Sequence, residues 1–381
     1  MKIFYLTNAR LPTEKAHGLA TVKLCAAFAK QGAEVIVFAP WRQNPLKADL
    51  YEYYGVERNF RVHCLPSIDL LWLPFGKRAF FLIQLFSFSF IAALWLSVRY
   101  RLWGGLGDTV IFSHDHIPLF FASFFAPNIF YDIHHYPEPT LLYTRVLRRA
   151  AGLAVQTKWK VTALGRDFGV PASKIVYWPN GTDVGRFDIP VSRQEARERL
   201  GLGQDKNIAL YAGSLQRWKG VETLVKAAEF LPADVAVYVV GGDPRGLGIE
   251  ISKYRTIAWI GQRPWTEIPL WLKAADALLL PNTGREKVSR FYTSPMKLFE
   301  YMASGRPIVA SDIPSIREIA DETMVFFAAP DDPRSFAGAI GQALADPADA
   351  AGRAERSRQE VRRYTWEARA ARILAHIKRL W

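Results

Sequence analysis

The sequence predicts an α/β protein made of two successive doubly wound halves, and three observations carry that prediction. A chain of 381 residues is long enough for two or three domains and exceeds what one core can hold. Its beginning reads as strand, loop, helix and strand in close succession, and the same alternation restarts after a polar stretch near residue 180. No tandem repeat with a period of about 20 to 50 residues competes with this arrangement. Two similar half-chains imply ligands held in a cleft between them, at the carboxyl ends of the strands.

The elements follow in order. Lys2–Leu6 reads as a strand, residues 9–18 as a polar loop, Leu19–Lys30 as an apolar-periodic helix ended by Gly32, and Glu34–Phe38 as the next strand. Thr109–Ser113 and Asn128–Ile133 have the continuous apolar character of buried strands, helices are expected near 139–150 and 158–168, and Lys174–Trp178 closes the first half. The segment from Asn180 to Lys206, with an Asn180-Gly181 turn signal and the charged run SRQEARERLGL, reads as the interdomain connection. Strands are then expected at Asn207–Ala212, Val235–Val240, Ile257–Ile260, Ala277–Pro281 and Pro307–Ala310, with helices at Gly220–Phe230, Trp265–Ala274 and Pro295–Ala303. Trp366–Leu380 is a basic amphipathic helix that closes the second half or returns to the first. The domains are therefore drawn as 1–188, 189–364 and a terminal helix at 365–381.

Half the residues are hydrophobic, 22% are charged and Gly plus Pro total 49, which excludes disordered, collagen-like and low-complexity classes. Cys25 and Cys64 stand apart with no CxxC pattern, so neither a disulfide framework nor a zinc site is indicated and a reducing compartment is expected. The net charge of +13 is uneven: residues 1–180 hold 20 Lys/Arg against 11 Asp/Glu, the remainder 29 against 25. Such a basic half suits a phosphorylated ligand, anionic lipid or nucleic acid. No helix-turn-helix, RNA-binding sheet motif or base-reading basic helix accompanies it, so a nucleic-acid partner is not expected.

The uncharged run from Ala79 to Val98, flanked by Lys77, Arg78, Arg99 and Arg101, is long enough to cross a bilayer. Gln84, Ser87, Ser89 and Ser97 interrupt it, and domain-like elements continue on both sides. A buried or partly buried domain helix is the first reading, an interfacial helix the second and a true span the last. The opening MKIFYLTNARLP has an apolar segment too short for an export signal. A cytoplasmic location, peripheral on the inner face of the membrane, is the expectation.

Three segments could carry chemistry. In the loop ending at Gly18, preceded by His17, a glycine would let backbone approach a ligand and the following helix would offer its amino end to an anion. A tight turn explains Gly18 equally simply, and His17 equally suits a surface loop. In LYAGSLQRWKGVETL a strand ends at Gly213 and Ser214, and Arg217 and Lys219 stand just before a helix start, a receptacle for a diphosphate or else a solvated basic turn. The most specific segment is FYTSPMKLFEYMASGRPIVASDIPSIREI. Thr293, Ser294 and Pro295 read as a capped helix entry, and Lys297 and Glu300 lie in the first turns of a helix whose other residues are apolar. A charge within such a helix needs a specific partner, and the two hydroxyls of a ribose would satisfy Glu300.

Taken together, PNGTDVGRF (residues 179–187), YAGSLQRWKG (211–220), IGQRP (260–264) and TSPMKLFEYMASGRPIVASD (293–312) resemble the family 4 glycosyltransferases of the GT-B fold. The resemblance runs over nearly the whole chain in order, including HGLATVKL and the terminal Tyr-Thr-Trp-Glu. It implies two Rossmann-like domains, the last helix packing back on the first. It also implies retaining transfer from a nucleotide diphosphate sugar to a glycan or lipid-linked acceptor, with no cofactor and no obligatory metal. By this similarity Arg217 and Lys219 hold the diphosphate and Glu300 the ribose. Ser294, Met296 and Lys297, around Pro295, supply amides to phosphate or sugar, while Gly18, Gly213, Ser214 and Gly261 let backbone approach the donor. Residues 252–263 are expected at the base. Preorganised cations and helix-end amides stabilise a departing diphosphate without a general base, which accounts for the missing Ser/His/Asp triad.

Two departures from the family pattern stand out: Tyr292 occupies the place of the first of two paired glutamates, read as a subgroup trait, and Ser214 replaces an arginine. On the acceptor side, Ser113, His114, Asp115, His116 and then Tyr131, Asp132, Ile133, His134, His135 follow strand ends. His134 is the preferred group for orienting or polarising the acceptor hydroxyl, with His17, Asp115, His116 and Asp132 beside it; any one of these histidines could equally cap a strand end. A nucleotide-sugar epimerase or hydrolase of the same fold would need an acid and base pair at the sugar carbon, and no such pair is found. A non-catalytic nucleotide-sugar-binding scaffold sits poorly with intact Lys219 and Glu300.

Overall fold

The computed structural model describes residues 1–102, 108–247 and 256–380 and divides the chain into two compact units, Met1–Pro179 with Trp366–Trp381, and Asn180–Thr365. The first unit contains β1 (Lys2–Leu6), α1 (Ala16–Lys30), β2 (Glu34–Pro40), α2 (Leu50–Tyr54), β3 (Arg61–Leu65), α3 (Lys77–Leu102), β4 (Thr109–Ser113), α4 (His116–Ala122), β5 (Ile129–Ile133), α5 (Leu141–Arg149), β6 (Gly152–Val155), α6 (Lys158–Phe168) and β7 (Ile175–Tyr177). The second contains α7 (Val184–Phe187), α8 (Arg193–Leu200), β8 (Asn207–Ala212), α9 (Val221–Ala227), β9 (Val235–Val240), β10 (Ile257–Gly261), α10 (Ile268–Ala274), β11 (Ala277–Leu280), α11 (Met296–Ser304), β12 (Ile308–Ser311), α12 (Pro314–Arg317), β13 (Phe326–Ala328), α13 (Pro333–Ala345) and α14 (Pro347–Glu360). The last helix, α15 (Trp366–Leu380), belongs to the first unit and packs on α1.

Both sheets are parallel throughout. The first runs β3-β2-β1-β4-β5-β6-β7 and the second β10-β9-β8-β11-β12-β13. Central strands such as IFYL in β1 and ALLL in β11 are buried on both faces, which is why they read as unbroken apolar runs. In the first unit Phe4, Phe38, Ile111, Ile129 and Leu153 lie in one core that also takes in Phe88, Ala92 and Leu96 of α3. In the second unit the two sheet faces carry separate cores, one around Leu210, Leu278 and Phe299, the other around Tyr211, Leu279 and Phe336. The strand order reverses direction between β1 and β4 in one sheet and between β8 and β11 in the other. Those two switch points are where a doubly wound fold exposes strand ends to a ligand.

Three sequence-based expectations need correcting. The first division falls at Pro179/Asn180, not 188/189: the Asn180 backbone N–H and side-chain amide donate to Ser294 Oγ and O, Phe187 is buried in the second core, and Asp188 pairs with Lys273 and Arg358. The second division falls between Thr365 and Trp366, one residue later than drawn. The helix after β1 starts at Ala16, so Gly18 lies inside its first turn and not at the end of a loop. The run from Ala79 to Val98 is a helix buried on one side only. Strand β3 escaped notice because this edge element, RVHCL, is mostly exposed and mixes polar with apolar residues; β6 and β13 are only four and three residues long.

Candidate active site

In the second unit the switch point gathers charge around the amino end of α11. Tyr301 on that helix accepts the Ala212 N–H (2.8 Å) through its hydroxyl, and Tyr211 donates its own hydroxyl to the Ser214 carbonyl (2.6 Å), so the end of β8 is held from both sides. Lys297 folds over Gly213: a Cβ there would sit 2.9 Å from the lysine Cδ, so only glycine leaves room. The Lys297 ammonium lies 3.9 Å above the Tyr211 ring, buried and without a hydrogen-bond acceptor among the described residues. Burial and the neighbouring Lys219 push it well below the ordinary lysine range. Burial lowers Lys219 to about 7 against the pull of Glu300, and raises Glu300 to about 7 against Lys297, Lys219 and Arg186. The loop that carries Lys219 turns at Gly220, where φ is +69° and a Cβ would overlap the Pro281 carbonyl at 1.8 Å. Two lysines and one arginine thus act electrostatically on one buried carboxylate at the start of α11. That set can hold a dianion.

In the first unit the ends of β1, β4 and β5 assemble a histidine cluster. His114 and His134 have ring centroids 5.3 Å apart, and His17 from the start of α1 stands 6.4 Å from His114. Tyr5 Oη and His114 Nδ1 are hydrogen-bonded at 3.0 Å. Asp132 is wholly buried beneath them: Oδ1 accepts Arg369 Nη2 (2.7 Å) and Gln156 Nε2 (2.6 Å), and Oδ2 takes His134 Nε2 (3.1 Å). Burial would raise this carboxyl, but Arg369 and His134 overcome it and hold it well below the usual carboxylate range. The ionised acceptor makes Nε2 the protonated nitrogen of His134 and leaves Nδ1 as a lone-pair acceptor. Burial, reinforced by His114, pulls His17 down to about 4, and burial lowers His134 against the pull of Asp132. Both shifts favour the neutral imidazoles of His17 and His134, which suits them to hydrogen-bond a hydroxyl. Lys160 fixes the backbone below it by donating to the Ile133 carbonyl (2.7 Å), the His134 carbonyl (2.9 Å) and Gln156 Oε1 (2.8 Å).

Lys219, Lys297 and Glu300 are brought together, with Ser294, Pro295 and Met296 leading into the same helix end. The expected side-chain cap is not formed. Pro295 occupies the cap position, the Thr293 hydroxyl donates to the Val288 carbonyl, and Ser294 Oγ is engaged by Asn180. Arg217 is exposed, 3.9 Å from Glu222, and is not among the cations that act on Glu300. Gly213 and Gly261 end β8 and β10, and the Gly261 carbonyl accepts the Gly241 N–H. Gly18 has a packing reason for its identity, since a Cβ would stand 2.3 Å from Thr13 Cγ2 and 2.6 Å from the Tyr54 hydroxyl. Asp115 accepts the Asn8 N–H (2.7 Å) and His116 stacks on Tyr143, so both are tied to structure, while buried Asp132 reaches a ligand only through His134. Of the segment expected at the base, residues 252–255 lie outside the described residues. Sequence reasoning passed over Arg186, His114's place in the cluster, Lys160 and Arg369. Arg186 lies within PNGTDVGRF and Arg369 interrupts an apolar helical stripe, so both left a signal.

The fold is one of two doubly wound units, each with a cluster of polar side chains at the ends of its strands. Two family models match it: "Glycosyltransferase Family 4" matches residues 19–186 and "Glycosyl transferases group 1" residues 206–346, between them most of the chain. The chain belongs to this glycosyltransferase family. It is 28% identical over 257 residues to a D-inositol 3-phosphate glycosyltransferase of Xylanimonas cellulosilytica, covering 62% of this chain and 60% of that one. The corresponding figures for a protein of the same description in Corynebacterium urealyticum are 26%, 63% and 60%. The match thus spans about three fifths of these relatives' length. Among solved structures, sucrose-phosphate synthase from Thermosynechococcus elongatus superposes with a TM-score of 0.77 at 21% identity, over 100% of this chain and 98% of that one. Anabaena HepE in complex with UDP gives 0.74 at 18%, over 98% and 100%. These likenesses establish the GT-B fold.

Proposed function

We propose that this chain moves a sugar, with retention at the anomeric carbon, from a nucleotide diphosphate sugar to a hydroxyl of a lipid-linked or polysaccharide acceptor, working in the cytoplasm at the inner face of the cell membrane. The observation that carries the reading is the convergence of Lys219, Lys297 and Glu300 at the amino end of α11. As the bond to the sugar breaks, negative charge grows on the leaving diphosphate. Two ammonium groups and first-turn amides already aimed there lower the barrier without reorganising. Glu300 suits the ribose hydroxyls, and the UDP complex of a structural neighbour supports a nucleotide diphosphate donor. The histidine cluster of the first unit receives the acceptor, with His134 Nδ1 and His114 orienting its hydroxyl.

A thermal-shift panel of UDP, GDP and their sugars tests the donor half, since a ligand at about a hundred times its Kd adds about 2.7 kcal/mol to native stability. Donor hydrolysis and transfer are then compared in wild type, Lys219→Ala and Glu300→Ala. Equal turnover in all three removes the assignment.

A further inference from the structure

We infer that the second unit holds a binding site for a small phosphomonoester, centred on Arg306 at the amino ends of its strands and separate from the cluster at the start of α11. The cavity there has a volume of about 510 Å³, within the range of roughly 300–1,000 Å³ found for small-molecule sites. Asn207 at the start of β8, Asp276 just before β11 and Pro307 just before β12 line it, so it lies at the opposite ends of these strands from Gly213 and Lys219. Gly305 and Arg306 follow the last turn of α11, whose first turns carry Lys297 and Glu300. That helix is nine residues, or about 14 Å, long, and one phosphate cannot serve both of its ends.

Each carboxylate in the wall is already engaged. Asp276 accepts Arg193, Arg197 and the Ile208 N–H (2.6 Å). Asp188 Oδ2 accepts Arg358 Nη1 (3.0 Å) while its Oδ1 lies 3.7 Å from Lys273, and Glu355 accepts Arg358 Nε (2.8 Å). Arg306 is left over. It makes no hydrogen bond or ion pair among the described residues, and its Nε is shut off from solvent without an acceptor. Burial first, then Arg193 and Arg197, disfavour its charge, and Asp276 offsets them only in part. Arg306 in turn adds to the burial that holds Lys273 below the ordinary lysine range. A guanidinium partly stripped of water and left unanswered costs stability, and an arriving anion removes that cost.

The wall selects the class of ligand. A phosphoryl group presents three acceptor oxygens, enough for the Arg306 fork and for a second cation, Lys273 or Arg193, both of which line the same cavity. A carboxylate has two and would leave the second cation idle. Leu344 of α13 with Ala350, Ala351 and Ala354 of α14 makes another part of the wall apolar, which suits the carbon portion of an ester and not free phosphate. None of these residues takes part in the transfer chemistry proposed above, so the site goes beyond that reading and does not rest on it.

The test is titration calorimetry of the full chain with inorganic phosphate and with phenyl phosphate at fixed ionic strength, in wild type, Arg306→Gln, Ala351→Glu and Lys219→Ala. Wild type is expected to bind phenyl phosphate more tightly than inorganic phosphate, and Lys219→Ala to retain that binding. Arg306→Gln should weaken it about tenfold or more, while the melt of the unliganded chain stays level or rises because no native bond is lost. Ala351→Glu sets a carboxylate in the wall from an exposed helix position, so it should fold normally and bind neither probe. Wild type that takes up neither probe overturns the proposal, as does binding that survives both Arg306→Gln and Ala351→Glu. Binding lost in Lys219→Ala and kept in Arg306→Gln overturns it too, by returning the anion to the start of α11. Phenyl phosphate held no tighter than inorganic phosphate overturns the assignment to an ester. Because neither UDP nor turnover is read, failure of the transfer reading would leave these results standing, and the reverse holds too.

Discussion

Replacing Arg369 by Met isolates what the C-terminal helix contributes to the first unit. Its guanidinium is 1% exposed and donates to Asp132 Oδ1, to the Trp178 carbonyl and to the Pro179 carbonyl, where the chain leaves this unit. Met fills much of the same volume but leaves a fully buried carboxylate with only Gln156 and His134. Removing one partner of a buried pair costs about 3–5 kcal/mol. For a unit of this size each kcal/mol is worth about 2–4 °C, so calorimetry should show its transition falling by about 6–20 °C. Asp132→Asn strands the guanidinium and should cost a similar amount. The double variant should cost about 2–3 kcal/mol less than the sum of the two singles, the coupling that is recovered when both charges are gone. The sign of the pH dependence is fixed: the Asp132 carboxyl is depressed in the fold, so the stabilisation is present at neutral pH and lost only as pH falls below the ordinary carboxylate range. Singles costing under about 1 kcal/mol, or a double equal to their sum, would refute a buried, coupled pair.

Donor binding should take up protons, since a diphosphate pulls Lys219 and Lys297 back towards the charged form. UDP affinity is therefore highest below about pH 7 and falls above it by up to about tenfold per pH unit for each lysine recharged, measurable by titration calorimetry in buffers of different ionisation enthalpy. Lys219→Ala should weaken UDP binding about 10–100-fold, whereas exposed Arg217→Ala should change it less than about threefold in the ground state. Equal losses would return Arg217 to the phosphate site. Gly220→Ala should destabilise the second unit by about 3 kcal/mol or more and abolish the UDP-induced thermal shift, because the new methyl collides with the Pro281 carbonyl. His134→Gln should lower transfer to acceptor more than donor hydrolysis, in a paired assay of the two products.

The two sheets were legible because parallel strands buried on both faces leave short apolar runs, too short for a helix and bounded by polar or turn residues, as in β4, β5, β8 and β11. What escaped was set by tertiary context. The edge strand β3 has a polar-tolerant pattern, and the true start of α1 at Ala16 carries no capping side chain to announce it. The boundary near residue 180 was misplaced because PNGTDVGRF is polar like a linker, yet Asn180 is tied to Ser294 and Phe187 fills the second core. Turn-like composition says nothing about which unit a turn serves.

Charged residues embedded in apolar stripes were the better guide to chemistry. Lys297 and Glu300 lie on a helix whose Leu298, Phe299, Tyr301 and Met302 are buried, and Arg369 lies on one whose Ala370, Ile373, Leu374 and Ile377 are buried. A buried charge is costly unless something answers it. For Arg369 the answer is on the same unit and can be read directly, Asp132 and two carbonyls. For Lys297 no acceptor is made among the described residues, and Glu300 is shared with Lys219 and Arg186. Three cations to one carboxylate is an arrangement that a folded chain alone gains little from keeping. Its cost is offset when a dianion arrives, and the distinction between Arg369 and Lys297 is therefore the distinction between a charge that holds a fold together and one that waits for a ligand.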